Sequence, residues 1–247
     1  MYIEDFIAQF SLGQIIHIEN TQDQQYISLA DARYHISKVY GTTSDNKIKF
    51  LDAIVYNSLI SYQIWWDGFL WRGEFAEKIK EDRINIDIHN PDRRYDFLYH
   101  SRYNKRLINM KIRRLNKICH VALGENIEDY ISYHDNMKKL NTKLSGLLWN
   151  KEDMKTVVFA VKMFGYGARI VFDKVVHYPM DIEIPIDSRL TKIYLYHLKI
   201  HNKLLDQKNT KEVKKFYKDI SLKTAIPPLH LDSLLWIVYR KTYRDIL

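Results

Sequence analysis

Residues 150–189 read NKEDMKTVVFAVKMFGYGARIVFDKVVHYPMDIEIPIDSR, and two placements within them organise the reading of the whole chain. The first is a helix. Asn150 suits its cap, Asp153 falls in its first turn near the positive end of the peptide dipoles, and Val157, Val158 and Val161 mark an inward face. Opposite Val157, the residues Lys155, Phe159, Lys162 and Tyr166 share one face at helical spacing. Two lysines alone would describe a solvated stripe. A phenylalanine between them gains nothing from water, so the alternative is a face that meets another lobe or a ligand. The second placement is Asp187 in Ile184-Pro185-Ile186-Asp187-Ser188-Arg189. Proline ends extended chain, and an aspartate just ahead of the periodic Leu190, Ile193, Leu195 and Leu198 is a good N-cap.

The chain of 247 residues with formal charge +8 is long enough to bury a proper core, as one domain or two tightly joined lobes. The positive balance tilts toward a polyanionic partner. A single cysteine, Cys119, cannot form an internal disulfide and cannot supply a four-cysteine iron-sulfur cluster. The expectation is a cytoplasmic protein without metal or other cofactor. Acidic Glu4 and Asp5 stand where a signal peptide would be basic. No segment approaches the roughly 20 apolar residues that cross a bilayer, so a membrane is not an expected partner.

Periodicity places a short amphipathic helix from Ile3 to Ile16 broken near Gly13, and further helices over Gln22 to Tyr40 and Asp45 to Gln63. Residues 64–73, IWWDGFLWRG, hold three indoles around two glycines. They read as a packed core turn or as a stacking platform for a nucleobase. From Arg102 to Lys117 seven basic residues (Arg102, Lys105, Arg106, Lys111, Arg113, Arg114, Lys117) interleave with apolar ones and no acid intervenes. That is a helix with one greasy and one basic side, either merely solvated or facing an anion. Ile127 to Leu148 reads as one helix, the first of a hairpin pair, with Lys155 starting the second turn of its partner. A helix follows Asp187 to about Leu205, another spans Val213 to Ile220, and Pro227-Pro228 opens the last, on which Asp232 and Trp236 share a face. His197 and His201 have no third ligand at a supporting spacing, and Gly165 with Gly167 make no dinucleotide fingerprint. No strand pattern is strong enough for a sheet.

The segments KTVVFAVKMFGYG, DIEIPIDSR and IPPLHLDSLLW, in this order, resemble the archaeal 8-oxoguanine DNA glycosylases, a branch of the helix-hairpin-helix glycosylase superfamily. The resemblance fades but continues upstream through LNKIC, SLISY and QQY, covering most of the chain after about Gln24. The glycine-rich LPGVG-type hairpin of the wider superfamily is absent, and Leu147-Leu148-Trp149-Asn150-Lys151-Glu152-Asp153 stands in its place. The resemblance implies an all-α fold of two helical lobes with a DNA-binding groove between them. One lobe would be residues 22–170, and the other 1–21 with 171–247.

What the resemblance implies about chemistry is a bifunctional DNA N-glycosylase and lyase acting on double-stranded DNA that contains 8-oxoguanine, as a monomer. The damaged nucleotide would be flipped out of the duplex. Phe159 and Trp71, with Trp66 as the other candidate tryptophan, would sandwich the base, and Gln25, Lys162, Asp232 and Trp236 would surround its edges. Lys155 would attack C1′, form a Schiff base and nick the strand by β-elimination, while Asp187 would stabilise charge on the sugar. A free lysine with pKa about 10.4 is mostly charged at neutral pH; burial, the helix dipole and nearby Lys162 would lower that value. Two other readings stay open at this level: a glycosylase of the same fold for another lesion, and a non-catalytic helical DNA-binding protein.

Overall fold

All regular structure among the described residues is helical, in keeping with the expected all-α fold. In the computed structural model these are residues 3–64, 68–81, 95–149, 154–198 and 207–239. The chain divides into two units: a terminal unit of Met1–Asp23 with His177–Leu247, and a central unit of Gln24–Val176.

The terminal unit begins with α1 (Ile3–Ile7) and α2 (Leu12–Gln22). The expected single helix with a break near Gly13 is instead interrupted before it. Ser11 forms a capping box in which its Oγ accepts from the Gln14 amide at 3.3 Å and Gln14 Oε1 accepts from the Ser11 amide at 2.8 Å. Two of the otherwise orphaned amides are thereby satisfied, and the glycine sits inside the new helix.

The central unit runs through α3 (Gln24–Tyr40), α4 (Ser44–Leu59), α5 (Gly68–Glu81), α6 (Asp96–Tyr99), α7 (Ile108–Ile118), α8 (Ile127–Asp135), α9 (Met137–Leu148) and α10 (Lys155–Phe172). The helix α10 is buried almost all round: Val157, Val158, Ala160, Val161, Phe164, Tyr166 and Ala168 have no exposed surface. A helix with apolar residues round most of its circumference belongs inside, and each such Val or Phe stabilises the unit by roughly 1.5–3 kcal/mol. It packs chiefly on α4. At that crossing a Cβ on Gly167 would lie 2.6 Å from Ile54 Cδ1 and 3.1 Å from Leu51 Cδ2, so any larger residue would require those side-chain ends to shift.

Several boundaries differ from the periodic reading. The stretch 127–148 is two helices, because Asn136 leaves helical geometry at φ −141°, ψ 83°. Asparagine competes for the backbone with its own side chain and is a poor interior residue. The helical part of the basic segment starts only at Ile108, after Leu107 in the left-handed region (φ 56°), so Arg102, Lys105 and Arg106 precede it. Met154 is extended and Lys155 is the first residue of α10, not the start of its second turn. Asn150 and Asp153 lie outside the described residues.

Returning to the terminal unit, α11 (Ser188–His197), α12 (Gln207–Thr224) and α13 (Pro228–Leu234) continue into a π-helical turn, Leu235–Tyr239. Its core gathers Ile3, Phe6 and Ile7 with Ile184, Leu190, Val213, Tyr217, Leu231 and Leu234. Glu19 and His230, both without exposed surface, pair at 2.8 Å and tie α2 to α13. His201 lies outside the described residues.

Candidate active site

In the central unit, the face of α10 that carries Lys155, Phe159, Lys162 and Tyr166 runs from solvent into the core. Lys155 is exposed, Phe159 is half-buried, and Lys162 and Tyr166 are buried. The expectation that Lys155 is itself buried does not hold, because the first turn of α10 reaches the surface. Inward along the same face the ring of Tyr166 is flanked by two cations. Lys162 Nζ lies 5.9 Å and the Arg169 guanidinium 5.6 Å from its centroid. Tyr26, in the first turn of α3, meets Tyr166 edge-on at 5.5 Å and receives the same Arg169 at 5.8 Å. Gln25, beside Tyr26, is buried. The negative ring faces offset the cost of burying these charges.

Phe159 carries the Arg72 guanidinium on its ring, 4.6 Å from the centroid. Trp71, next in sequence to Arg72, is almost completely buried. Its Nε1–H donates to Ser61 Oγ at 2.9 Å and its indole stacks on Phe97 with centroids 6.0 Å apart. Trp71 thus has its polar atom and one ring face engaged in the core, and it also lines a cavity with Leu70, Phe75, His100 and Tyr103. Trp65 and Trp66 lie outside the described residues.

In the terminal unit, Asp187 caps α11. Its Oδ1 accepts from the amides of Arg189 at 2.9 Å and Leu190 at 3.0 Å, and its Oδ2 lies 3.4 Å from Arg189 Nε. Arg189 in turn lies on the indole of Trp236, 3.0 Å from its centroid. Asp187, Arg189, Asp232 and Trp236 line one small cavity with Leu190 and Ile193. Asp232 is the fifth residue of α13, one turn further in than the first-turn position expected of it, and Trp236 lies in the π-helical turn. The wider turn changes the direction of side chains after Leu235, a distortion that often accompanies functional sites.

Sequence reasoning passed over Arg72, Arg169 and Arg189. Arg169 follows Lys162 by two helical turns, so the same periodicity that linked the lysines points to it. Arg189 sits inside the quoted IDSR. Nothing in local spacing marks Arg72.

An exposed amine at the first position of a helix, with a half-buried ring one turn along and buried cations beyond, is suited to nucleophilic chemistry on an anionic, aromatic substrate. The family pattern described as AGOG: N-glycosylase/DNA lyase matches residues 4–245. The chain belongs to this family. It is 38% identical over 214 residues to an N-glycosylase/DNA lyase of Methanococcus maripaludis, covering 86% of this chain and 80% of the relative. A second N-glycosylase/DNA lyase, from Methanopyrus kandleri, is 33% identical over 238 residues, covering 96% and 88%. The fold matches the crystal structure of the 8-oxoguanosine complex of Pa-AGOG, the 8-oxoguanine DNA glycosylase of Pyrobaculum aerophilum. The TM-score is 0.76 at 20% identity, over 99% of this chain and 90% of that one. As a family member the chain is a DNA N-glycosylase/lyase of helical fold. No helix among the described residues is long and apolar enough to cross a membrane.

Proposed function

We propose that this N-glycosylase/DNA lyase excises 8-oxoguanine from duplex DNA, with Lys155 as the nucleophile and Asp187 as the carboxylate that stabilises charge on the sugar. The observation that carries the reading is Lys155 itself: a solvent-accessible amine on the first residue of α10, continuous with the face of Phe159, Lys162 and Tyr166. The name shared by the relatives covers both bond cleavages, and the Pyrobaculum neighbour was crystallised with 8-oxoguanosine.

The neutral amine attacks C1′, the bond to the base breaks, and the base leaves with a proton. The sugar ring opens as the nitrogen lone pair forms the Schiff base, and loss of a C2′ proton expels the 3′ phosphate. Positive charge develops on the sugar as the base departs, and an ionised Asp187 lowers the energy of that state. Phe159 offers a ring for the flipped base, with Trp66 or Trp71 as the second ring; the burial of Trp71 favours Trp66. Gln25 and Lys162 supply edge partners, while Asp232 and Trp236 complete them. A carboxylate such as Asp232 accepts from ring N–H groups. The N7–H of 8-oxoguanine, absent from guanine, is the group such an acceptor distinguishes.

Arg113 and Lys117 face solvent on α7, Lys117 over the ring of the exposed Trp149, and both suit the phosphates of the duplex. The partner is thus lesion-bearing DNA, met by a monomer in the cytoplasm. Borohydride trapping on a duplex with a single 8-oxoguanine tests the assignment. Wild type should give a covalent adduct and Lys155→Gln none, while the variant still binds damaged DNA. An adduct formed by Lys155→Gln at the wild-type rate would refute it.

A further inference from the structure

The N-cap of the helix that presents Lys155 is Met154, whose side chain offers no hydrogen bond to the first amides. Among the described residues, Arg114 ties the first turn of that helix to another helix. Arg114, half-buried on α7, donates from Nη1 to Thr156 Oγ1 at 3.0 Å and to the carbonyl of Leu59, the last residue of α4, at 2.8 Å. The guanidinium also lies over the ring of Tyr62, 4.8 Å from the centroid. Tyr62 carries Lys111 at 5.1 Å as well, and Lys111 is held by Asn104. One planar group thus joins the end of α4, the segment after it, and the first turn of α10.

Thr156 is the neighbour of Lys155 in that turn, so a displacement of Thr156 moves the lysine backbone with it. The lysine side chain is long and exposed, and the direction from which its amine reaches C1′ depends on where that backbone stands. Misplacement of a reacting group by about 1 Å can cost about a hundredfold in rate. We propose that Arg114, through the hydroxyl of Thr156, is a positioning residue for Lys155, setting the first turn of α10 and hence the trajectory of the attacking amine. This rests on Lys155 being the nucleophile. Lysine is a poor replacement for Arg114 in this role: both bonds leave from Nη1, and an ammonium has no flat face to lie on Tyr62 while its nitrogen is held at the Thr156 and Leu59 oxygens.

The test is single-turnover borohydride trapping at saturating enzyme on a duplex carrying a pre-formed abasic site, so that base release does not enter. Arg114→Met should slow trapping about tenfold, with the enzyme concentration for the half-maximal trapping rate changed less than about threefold. Thr156→Val should slow it about threefold, and the double variant should be no slower than Arg114→Met, because both remove one contact. Arg114→Lys should stay slow, which separates geometry from charge. Wild-type trapping in folded Arg114→Met or in Thr156→Val, or a double variant slowed by the product of the two factors, overturns the inference. Should Arg114→Met not fold, Thr156→Val decides alone, since it leaves the contacts to Leu59 and Tyr62 intact. Lys155→Gln run in parallel separates the two levels. Trapping that persists in Lys155→Gln removes the nucleophile and this inference together. Trapping lost there but unchanged in Arg114→Met removes the positioning role only.

Discussion

Lowering the pH from 7 to 5 should loosen the far end of the helix that carries Lys155, through His134. This residue lies in the last turn of α8, is buried, and stacks on Phe172, the last residue of α10, with ring centroids 5.6 Å apart. Burial pulls its pKa down from 6.5 to about 4, with Asp135 opposing the shift and Lys174 and Arg169 adding to it. Because the folded-state value is depressed, the associated stability is fully present above the unfolded value of 6.5. It is lost as pH falls toward 4. At pH 5 the unfolded chain binds nearly a full proton at this position and the native chain about a tenth, so linkage gives a loss of about 2 kcal/mol between pH 7 and 5. Urea unfolding of wild type and His134→Leu at both pH values isolates the effect, because titrations common to the two proteins cancel. The gap between them should move by about 2 kcal/mol in favour of the variant at pH 5. Parallel pH profiles for the two proteins would show that His134 is not held neutral by its burial.

At the alkaline end Lys111 behaves in the same sense: burial, with Arg106 adding to it, pulls its pKa down to about 8. Stability is therefore withheld below pH 8 and returns as the unfolded chain also loses its proton near 10.5. Measured by urea unfolding, wild type should gain about 2 kcal/mol on Lys111→Met between pH 8 and 10. Asp187→Asn should leave thermal stability nearly unchanged, because asparagine caps a helix as well as aspartate. Asp187→Ala should lose about 1 kcal/mol. The Asn variant should nevertheless slow base release by about a hundredfold while acting better on a pre-formed abasic site, as single-turnover excision on the two substrates would report. Replacing Arg113 and Lys117 together by alanine should weaken DNA binding and reduce the slope of log K against log salt by about 2, without changing the excision rate at saturating enzyme. An unchanged slope would remove α7 from the DNA contact.

The helical class, the order of the main helices, the N-cap at Asp187 and the inward valines of α10 are all legible in the chain, because each depends on residues within a turn or two of one another. Cap chemistry and helical periodicity act at that range. The position of Lys155 among Phe159, Lys162 and Tyr166 is legible for the same reason. The family resemblance then points to the chemistry, since function attaches to the local site and not to the fold.

The folded chain alone decides where the long polar side chains go. Of seven basic residues in one run, Lys111 and Arg114 turn inward because Tyr62, Asn104 and the Leu59 carbonyl wait there, while Arg113 and Lys117 face solvent. Lys162 and Arg169 are buried because Tyr26 and Tyr166 supply ring faces. Trp71 joins the core because Ser61 and Phe97 meet it. Periodicity fixes which side of a helix a residue leaves from. The partner that draws a flexible side chain toward the interior sits on another helix or a connecting segment, so packing settles what spacing cannot.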